Sequence, residues 1–346
     1  MFPREGPLTS LDDLTTEGLI DPAERAALEP ITARFPVRIP PTLRRRMVEA
    51  PNPGALRAQF VPSSREGVVD PMESADPIGD AAHSPLPGLV HRYPDRVLLK
   101  LVTACAVHCR FCFRRDMIGP DAQPALSDAQ VETALSYVRA RPGIREVILS
   151  GGDPLILPAG RIARVTEAVT TIDAVTVIRW HSRVPLVDPG RLSPQVIAAL
   201  SGTNKTVVVA VHANHADEFG PEAETALARL RGAGVILVGQ SVLLRGVNDS
   251  PEALEALMRT FLRVGVMPYY LHHGDLARGT GHFRTSLDTG LALVEGLRGR
   301  LSGLGQPTYV VDLPGGGGKV PVTRELLAKG GARSWTGAWH PYPPKG

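Results

Sequence analysis

From Val97 to Leu271 two patterns take strict turns along the chain. Apolar runs of strand length stand at Val97–Val102, Glu146–Leu149, Val175–Arg179, Thr206–Val211, Val235–Gln240 and Pro268–Leu271. Helical spacing of apolar residues fills the intervals, at Ser127–Ala140, Ala159–Thr170, Pro194–Leu200, Pro221–Ala233 and Pro251–Val264. Ser127-Asp-Ala-Gln130 and Ser250-Pro-Glu-Ala are good helix starts, a capping residue followed by an acceptor or by proline at the first helical position. Neighbouring parallel strands need a long crossover, usually a helix, so this alternation predicts an α/β fold: a parallel sheet with helices outside it. A sixth helical pattern, Ser286–Leu301, and a further strand, Thr308–Asp312, lead to Pro314-Gly-Gly-Gly-Gly318-Lys319.

The flanks are less regular. Residues 1–60 hold short helical patterns punctuated by proline, with Ser10 and Asp21-Pro22 as helix starts and Pro40-Pro41 as a break. Arg44-Arg45-Arg46 reads as a solvated face. Residues 61–90, rich in Pro, Ser, Asp and Gly, read as a long connection over the surface. Residues 330–346 read as an irregular tail. The expected organisation is an N-terminal helical extension and linker (1–90), a barrel core (91–285) and a C-terminal helix, strand, lysine loop and tail (286–346).

Three cysteines, Cys105, Cys109 and Cys112, are the only ones in the chain, spaced C-x3-C-x2-C directly after the first apolar run. They leave no framework of disulfides. Thiolates are the usual ligands of iron–sulfur clusters. Three of them on one tight loop can hold three irons of a [4Fe–4S] cube. The fourth iron is then free to chelate an amine and a carboxylate, which the methionine end of S-adenosylmethionine (SAM) offers. The loop resembles that of the radical SAM enzymes. Zinc held by the three cysteines and His108, or three inert buried cysteines, are the competing readings.

A parallel barrel gathers its chemistry at the C-terminal ends of its strands. There the chain places the cysteine loop, Ser150-Gly151-Gly152-Asp153, His181-Ser-Arg183, His212, Gln240-Ser241 and Asp275. Glycines at 151 and 152 let backbone approach a ligand, and exposed N–H and C=O groups could hold the amino group of SAM. Lys319, after its glycine run, can form a Schiff base with an aldehyde cofactor such as pyridoxal phosphate (PLP), or can be an ordinary solvated lysine. Arg92, Arg96 and Arg114 flank the first strand and the cysteine loop. Arginine binds phosphate and carboxylate in a bidentate way, so Arg92 and Arg96 suit a PLP phosphate and Arg114 a substrate carboxylate; pairing with structural acids is the alternative. Asp275 and Asp312 end strands of one set and could together grip an ammonium group, or be separate surface carboxylates.

His91-Arg-Tyr-Pro-Asp-Arg96, Cys105–Arg115, Leu149-Ser-Gly-Gly-Asp153, Asn214-His215, Gln240–Asp249, Pro268-Tyr-Tyr270, His282-Phe-Arg-Thr285 and Val310–Lys319 occur in this order. With them the chain resembles the lysine 2,3-aminomutase family from His91 to Val322. The resemblance implies a partial (β/α)6 TIM-like barrel with a [4Fe–4S] cluster, SAM and PLP. It implies that Cys105, Cys109 and Cys112 hold the cluster, that Ser150, Gly151, Gly152, Asp153, His212 and Gln240 lie near SAM, and that Lys319 holds PLP. Arg114 would meet the carboxylate of L-lysine, and Asp275 and Asp312 its distal ammonium. The implied reaction removes hydrogen from C3 of lysine and moves nitrogen from C2 to C3. A reductant of flavodoxin or ferredoxin type is implied as partner, and a homo-oligomer is an option.

A related branch makes β-lysine for attachment to translation elongation factor P, and Tyr269-Tyr-Leu-His272 matches its wording; the glycine run before Lys319 and His282-Phe-Arg-Thr285 look more like the free-lysine branch. Retention of both aspartates argues against glutamate as substrate. The formal charge of +3 gives no argument for nucleic acid or an anionic membrane. Residues Met1–Gly6 lack the order of a signal peptide, and no uncharged apolar run spans a bilayer, so a soluble cytoplasmic enzyme is expected.

Overall fold

The computed structural model describes residues 6–118 and 125–344; residues 1–5, on which most of the signal-peptide reading rests, lie outside them. Four helices come first: α1 (Leu11–Thr16), α2 (Arg25–Arg34), α3 (Pro41–Glu49) and α4 (Pro53–Phe60). Ser10 and Asp13 form a reciprocal capping box at α1, and Asp21 caps the single turn that leads into α2.

The chain then enters β1 (Leu89–Tyr93), β2 (Arg96–Val102), α5 (Asp128–Arg139), β3 (Glu146–Gly151), α6 (Ala159–Thr170), β4 (Val177–Ser182), α7 (Val184–Val187), α8 (Pro194–Ser201) and β5 (Thr206–His212). It continues through α9 (Pro221–Gly232), β6 (Ile236–Val242), α10 (Pro251–Arg263), β7 (Met267–His272), α11 (Leu287–Leu297), β8 (Thr308–Leu313), β9 (Gly318–Pro321) and α12 (Arg324–Lys329), and closes with β10 (Gly331–Arg333) and β11 (Trp339–Pro341).

β1 to β9 form one sheet in sequence order. Every pair from β2 to β8 is parallel, which makes it the nearly closed, barrel-like sheet of the expected α/β fold. Its strands are fully apolar where both faces are covered, as in β3, whose Val147, Ile148 and Leu149 are all buried. The helices bury one stripe each; α10 turns Leu254, Leu257, Met258 and Phe261 inward, at spacings of three and four residues. One continuous apolar core runs from Leu8 in the N-terminal extension to Tyr342.

Three elements differ from expectation, each for a local reason. His91–Arg96 is more than a lead-in: β1 folds back antiparallel on β2 through the Tyr-Pro-Asp turn. Lys319 sits on a strand, not on a flexible loop. β9 pairs antiparallel with β8, and the positive φ of Gly315, Gly316 and Gly318 makes the reversal. The expected tail holds a small hairpin, with Gly331 to Arg333 paired to Trp339 to Pro341. Nor are residues 61–90 only a surface connection. They carry three buried carboxylates, Glu66, Glu73 and Asp80, each bound to arginines of the cysteine loop or the barrel rim. Among the described residues no helix is long and apolar enough to cross a membrane.

Candidate active site

The cysteine loop follows β2 and is bolted to the N-terminal extension. His108 N–H donates to Arg38 O (3.0 Å) and Arg110 N–H to Gln59 O (2.8 Å). His108 Nδ1 meets Pro36 O at 2.9 Å. Arg110, 2% exposed, reaches Glu66 and the carbonyls of Phe35 and Pro36, and Arg115 shares the same Glu66 carboxylate. Burial works to raise the Glu66 pKa, but Arg110 and Arg115 outweigh it and hold the carboxyl below its usual range. An extension with no catalytic motif of its own therefore shapes the loop.

Burial pushes the Cys105 thiol well above its usual value, Cys109 up to about 12, and Cys112 upward as well. Nearby Asp153 and the other two cysteines add to the effect at Cys105. A metal binding here must displace protons, and thiols this enclosed become good ligands only with cationic charge beside them. Arg183 supplies that charge, with Nη1 3.5 Å from Cys109 Sγ. The arrangement fits an iron–sulfur cluster.

Ser150–Asp153 ends β3 against this loop. Gly151 has φ +121°, and the N–H groups of Gly152 and Asp153 donate to Val102 O (2.5 Å) and Ala104 O (3.0 Å). A side chain on either glycine would strike the backbone of residues 102–104, so glycine is required for the approach. With those N–H groups engaged, a ligand amino group, itself a donor, is left the backbone carbonyls. The Asp153 carboxylate is wholly used inside the protein. It accepts from Ser182 Oγ, Leu155 N–H, Arg183 N–H and Val184 N–H, and so braces the end of β4. His212 and Gln240 are register partners on β5 and β6. Burial keeps His212 neutral, and its Nε2 lies 3.2 Å from Asn214 Oδ1.

On the other side of the barrel mouth Lys319, Asp312 and Asp275 come together. Antiparallel pairing sets Lys319 opposite Asp312, and Nζ lies 2.5 Å from Asp312 Oδ2. The backbone N–H of Lys319 donates to the Tyr93 hydroxyl at 2.8 Å, a bond between the ends of β1 and β9, the two outermost strands of the sheet. His272, at the end of β7, has Nδ1 3.4 Å from Lys319 Nζ and 3.7 Å from Asp312 Oδ2. Burial works to raise the Asp312 pKa, yet the Lys319 ammonium and His272 hold it well below the carboxylate range. Asp275 goes the other way: burial, then the charge of Asp312, pushes it up to about 8. One carboxylate is thus ionised and its neighbour protonated, the usual result when two acids share a site.

Arg92 and Arg114 meet at a carboxylate that pattern reading missed. Asp80 Oδ1 accepts from Arg92 Nη2 (3.1 Å), Asp80 Oδ2 accepts from Arg114 Nη2 (2.9 Å), and Lys100 Nζ stands 3.9 Å from Oδ2. Asp80 is aimed by Asp76, whose carboxylate accepts from the N–H groups of Asp80 and Ala81. Beside it His83 Nε2 contacts Gly316 O at 3.1 Å, so the segment also touches the glycine run before Lys319. The only signal in the sequence was an aspartate in a proline-rich stretch, which has no periodicity to read. Three cations share one anion here, and Arg92 Nε is buried without a partner, as is His181 Nε2. Such an excess fits a bound phosphate and carboxylate, the anions that PLP and an amino acid bring. Arg96 stands apart from this group: it pairs with Asp95 at 2.6 Å and lies 3.8 Å over the Tyr93 ring.

Asp80→Ala should lose about 3–5 kcal/mol of stability, the scale for removing one partner of a buried ion pair. Inorganic phosphate should restore part of the loss by occupying the bared arginines. Thermal denaturation with and without phosphate reads both; a phosphate-insensitive variant would argue against an anion site.

Similarity to known proteins agrees with this geometry. Residues 99–258 match the model of the Radical SAM superfamily, and residues 294–334 match a model described as Lysine-2,3-aminomutase. An L-lysine 2,3-aminomutase of Acetoanaerobium sticklandii is 41% identical over 275 residues, 80% of this chain and 66% of that one. A putative L-lysine 2,3-aminomutase of Treponema pallidum is 40% identical, covering 84% of each chain. An L-lysine 2,3-aminomutase of Escherichia coli is 35% identical over 335 residues, 93% of this chain and 96% of that one. The chain spans about two thirds of the length of the first of these relatives. With the cysteine loop, the paired carboxylates and the strand-borne lysine all in place, the chain belongs to the lysine 2,3-aminomutase family of radical SAM enzymes.

Proposed function

We propose that the protein interconverts L-lysine and β-lysine by moving the α-amino group to C3. The observation that carries this reading is the ammonium of Lys319 lying on Asp312 beside a protonated Asp275. A site that already holds one primary ammonium on a buried carboxylate, with a second acid in reserve, suits the distal ammonium of lysine. It does not suit the carboxylate of glutamate. The relatives named above are all called L-lysine 2,3-aminomutases, which does not favour the translation-factor branch.

When bound, the [4Fe–4S] cluster and SAM supply a hydrogen-abstracting radical, and PLP supplies a conjugated group that can share the unpaired electron while nitrogen migrates. Cys105, Cys109 and Cys112 would hold the cluster, Lys319 the PLP carbonyl carbon and Arg92 its phosphate. Arg114 would orient the substrate carboxylate. Lys319 must lose a proton before its nitrogen is nucleophilic. His272 Nδ1, 3.4 Å away, is positioned to take it, since burial, with the Lys319 charge, lowers the His272 pKa and keeps the imidazole neutral. Once Lys319 nitrogen is no longer an ammonium, Asp312 is free for the ammonium of the substrate, and one cation replaces another. Tyr269 and Tyr270, packed at a tilt with ring centroids 3.8 Å apart on β7, wall this end of the site and help exclude water. A small one-electron protein of flavodoxin or ferredoxin type is the proposed reductant.

Anaerobic protein supplied with iron, sulfide, PLP, SAM, dithionite and L-lysine should form β-lysine, detected by mass spectrometry. Glutamate and arginine in parallel should give no product. SAM cleavage without β-lysine would keep the radical chemistry and remove lysine as the substrate.

The two aspartates also fix a pH dependence. Asp275, raised to about 8, is protonated at neutral pH and must ionise to share the incoming ammonium. Lysine binding below pH 8 therefore releases a proton. The KM for lysine should fall by up to about tenfold per pH unit as pH rises, and continue to fall past pH 8, because a Lys319 that has given up its charge no longer holds the Asp275 pKa down while the substrate ammonium stays charged to about pH 10. Initial rates from pH 6.5 to 9 test this, and Asp275→Asn should flatten the slope.

A further inference from the structure

Arg183 closes β4 and is 5% exposed. Its Nη1 donates to Cys109 Sγ at 3.5 Å, and its Nη2 donates to Gln59 Oε1 at 2.7 Å and Glu218 Oε2 at 2.5 Å. The guanidinium is 4.7 Å from the Phe60 ring centroid and 5.3 Å from that of Phe111. Its Nε is buried with no partner, so the group has a donor to spare. Glu218, 2% exposed, is itself saturated on Oε1 by the N–H groups of Asn214 (2.7 Å) and His215 (3.0 Å) and by Gln59 Nε2 at 3.3 Å. Asn214 Nδ2 completes the set by donating to Gln59 Oε1 at 3.0 Å.

This is a buried polar network with a sulfur at its end and one donor, Arg183 Nε, left over. Such networks are costly unless every member is satisfied. Folding alone does not call for an arginine on a cysteine sulfur. On reduction an iron–sulfur cluster gains one negative charge. Hydrogen bonds to its sulfurs and nearby net charge set how favourable that gain is. Arg183 brings both a donor and a cation to Cys109. Glu218 offsets the cation, and Gln59, carried by α4 of the N-terminal extension, bonds both side chains and holds them in register.

We propose that Arg183 sets the reduction potential of the cluster through its hydrogen bond to Cys109 Sγ, with Glu218 and Gln59 of the N-terminal extension limiting the charge it delivers. Arg183 is a positioning residue in this role. The proposal rests on the reading that the three cysteines hold a cluster. It does not depend on which amino acid the enzyme rearranges.

The test is a redox titration of the reconstituted full-length protein, followed by electron paramagnetic resonance in the absence of SAM and lysine, with iron and sulfide counted in each sample. Arg183→Gln should lower the midpoint potential of the parent. Glu218→Gln, which keeps the shape and removes the offsetting charge, should raise it. Opposite shifts at equal iron content are the expected result, because a merely structural defect would not move the two variants in opposite directions. Unchanged potentials, or shifts of the same sign, overturn the proposal. If Arg183→Gln does not load iron, Arg183→Lys takes its place and should show a smaller fall, since charge stays while the fork geometry is lost. A parent protein that binds no cluster would instead overturn the reading of the cysteines.

Discussion

Lys319→Ala, purified with PLP, should show no visible absorbance of lysine-bound cofactor, and its formation of β-lysine should fall by a factor on the order of 10⁴ or more, the scale for losing a residue that acts as part of a unit. The loss is covalent first, since no other lysine is among the groups that meet at Asp312. It is also electrostatic. With Lys319 gone, Asp312 loses the ammonium at 2.5 Å, and its pKa should climb back from its depressed value. Lys319→Arg separates the two effects. It keeps a cation near Asp312, so the folded protein should denature close to the parent, but it cannot bond the cofactor aldehyde. A cofactor band that persists in both variants would mean that another amine holds PLP, and the assignment of Lys319 would fall.

Asp312→Asn attacks the same pair from the other side. Before cofactor binds, Lys319 would lose its direct partner at 2.5 Å, and Asp275, relieved of the Asp312 charge that helps keep it protonated, would ionise more readily but replace that partner only in part. Truncating one member of a buried, hydrogen-bonded charge pair costs about 2–5 kcal/mol. For the substrate the same cost appears as a rise in KM of roughly 30- to 4,000-fold, at tenfold per 1.4 kcal/mol. The KM should respond more than kcat, because the distal ammonium is far along the chain from the carbon atoms that react and binds alike in ground and transition states. Asp275→Asn should cost less at neutral pH, since Asp275 already carries a proton there. Steady-state kinetics of both variants at pH 7 and pH 8.5 would rank them. Equal effects at pH 7 would mean that the two acids share the charge evenly.

How far the strands and helices were legible in the residues follows from what each owes to local pattern. Helices α5, α6, α8, α9, α10 and α11 and the seven parallel strands stand within a few residues of the positions that periodicity assigns, because each buries a stripe or a face whose spacing is written in the chain. The cysteine loop was legible for the same reason of proximity: three cysteines within eight residues need no tertiary contact to be recognised as a set. Asp275, Asp312 and Lys319 could be named one by one from strand ends and family motifs. Their grouping could not, since a spacing of 37 residues between two aspartates says nothing of distance without the sheet.

By itself, then, the order of residues determined the α/β class, the sheet with its outer helices, the cysteine set and the list of polar residues at strand ends. All of these depend on contacts within one element or one turn. Only the tertiary structure decided that Lys319 lies on a strand in register with Asp312, that Asp80 binds Arg92 and Arg114, and that Gln59 and Glu66 of the N-terminal portion reach the arginines around the cysteines. Those are polar pairings that no local pattern reveals, from seven residues apart for Asp312 and Lys319 to 124 for Gln59 and Arg183. A charged residue has no period and no local partner to reveal its choice. Which opposite charge it meets is set by where the sheet and its connections place the two, and by the cost of burying either one alone.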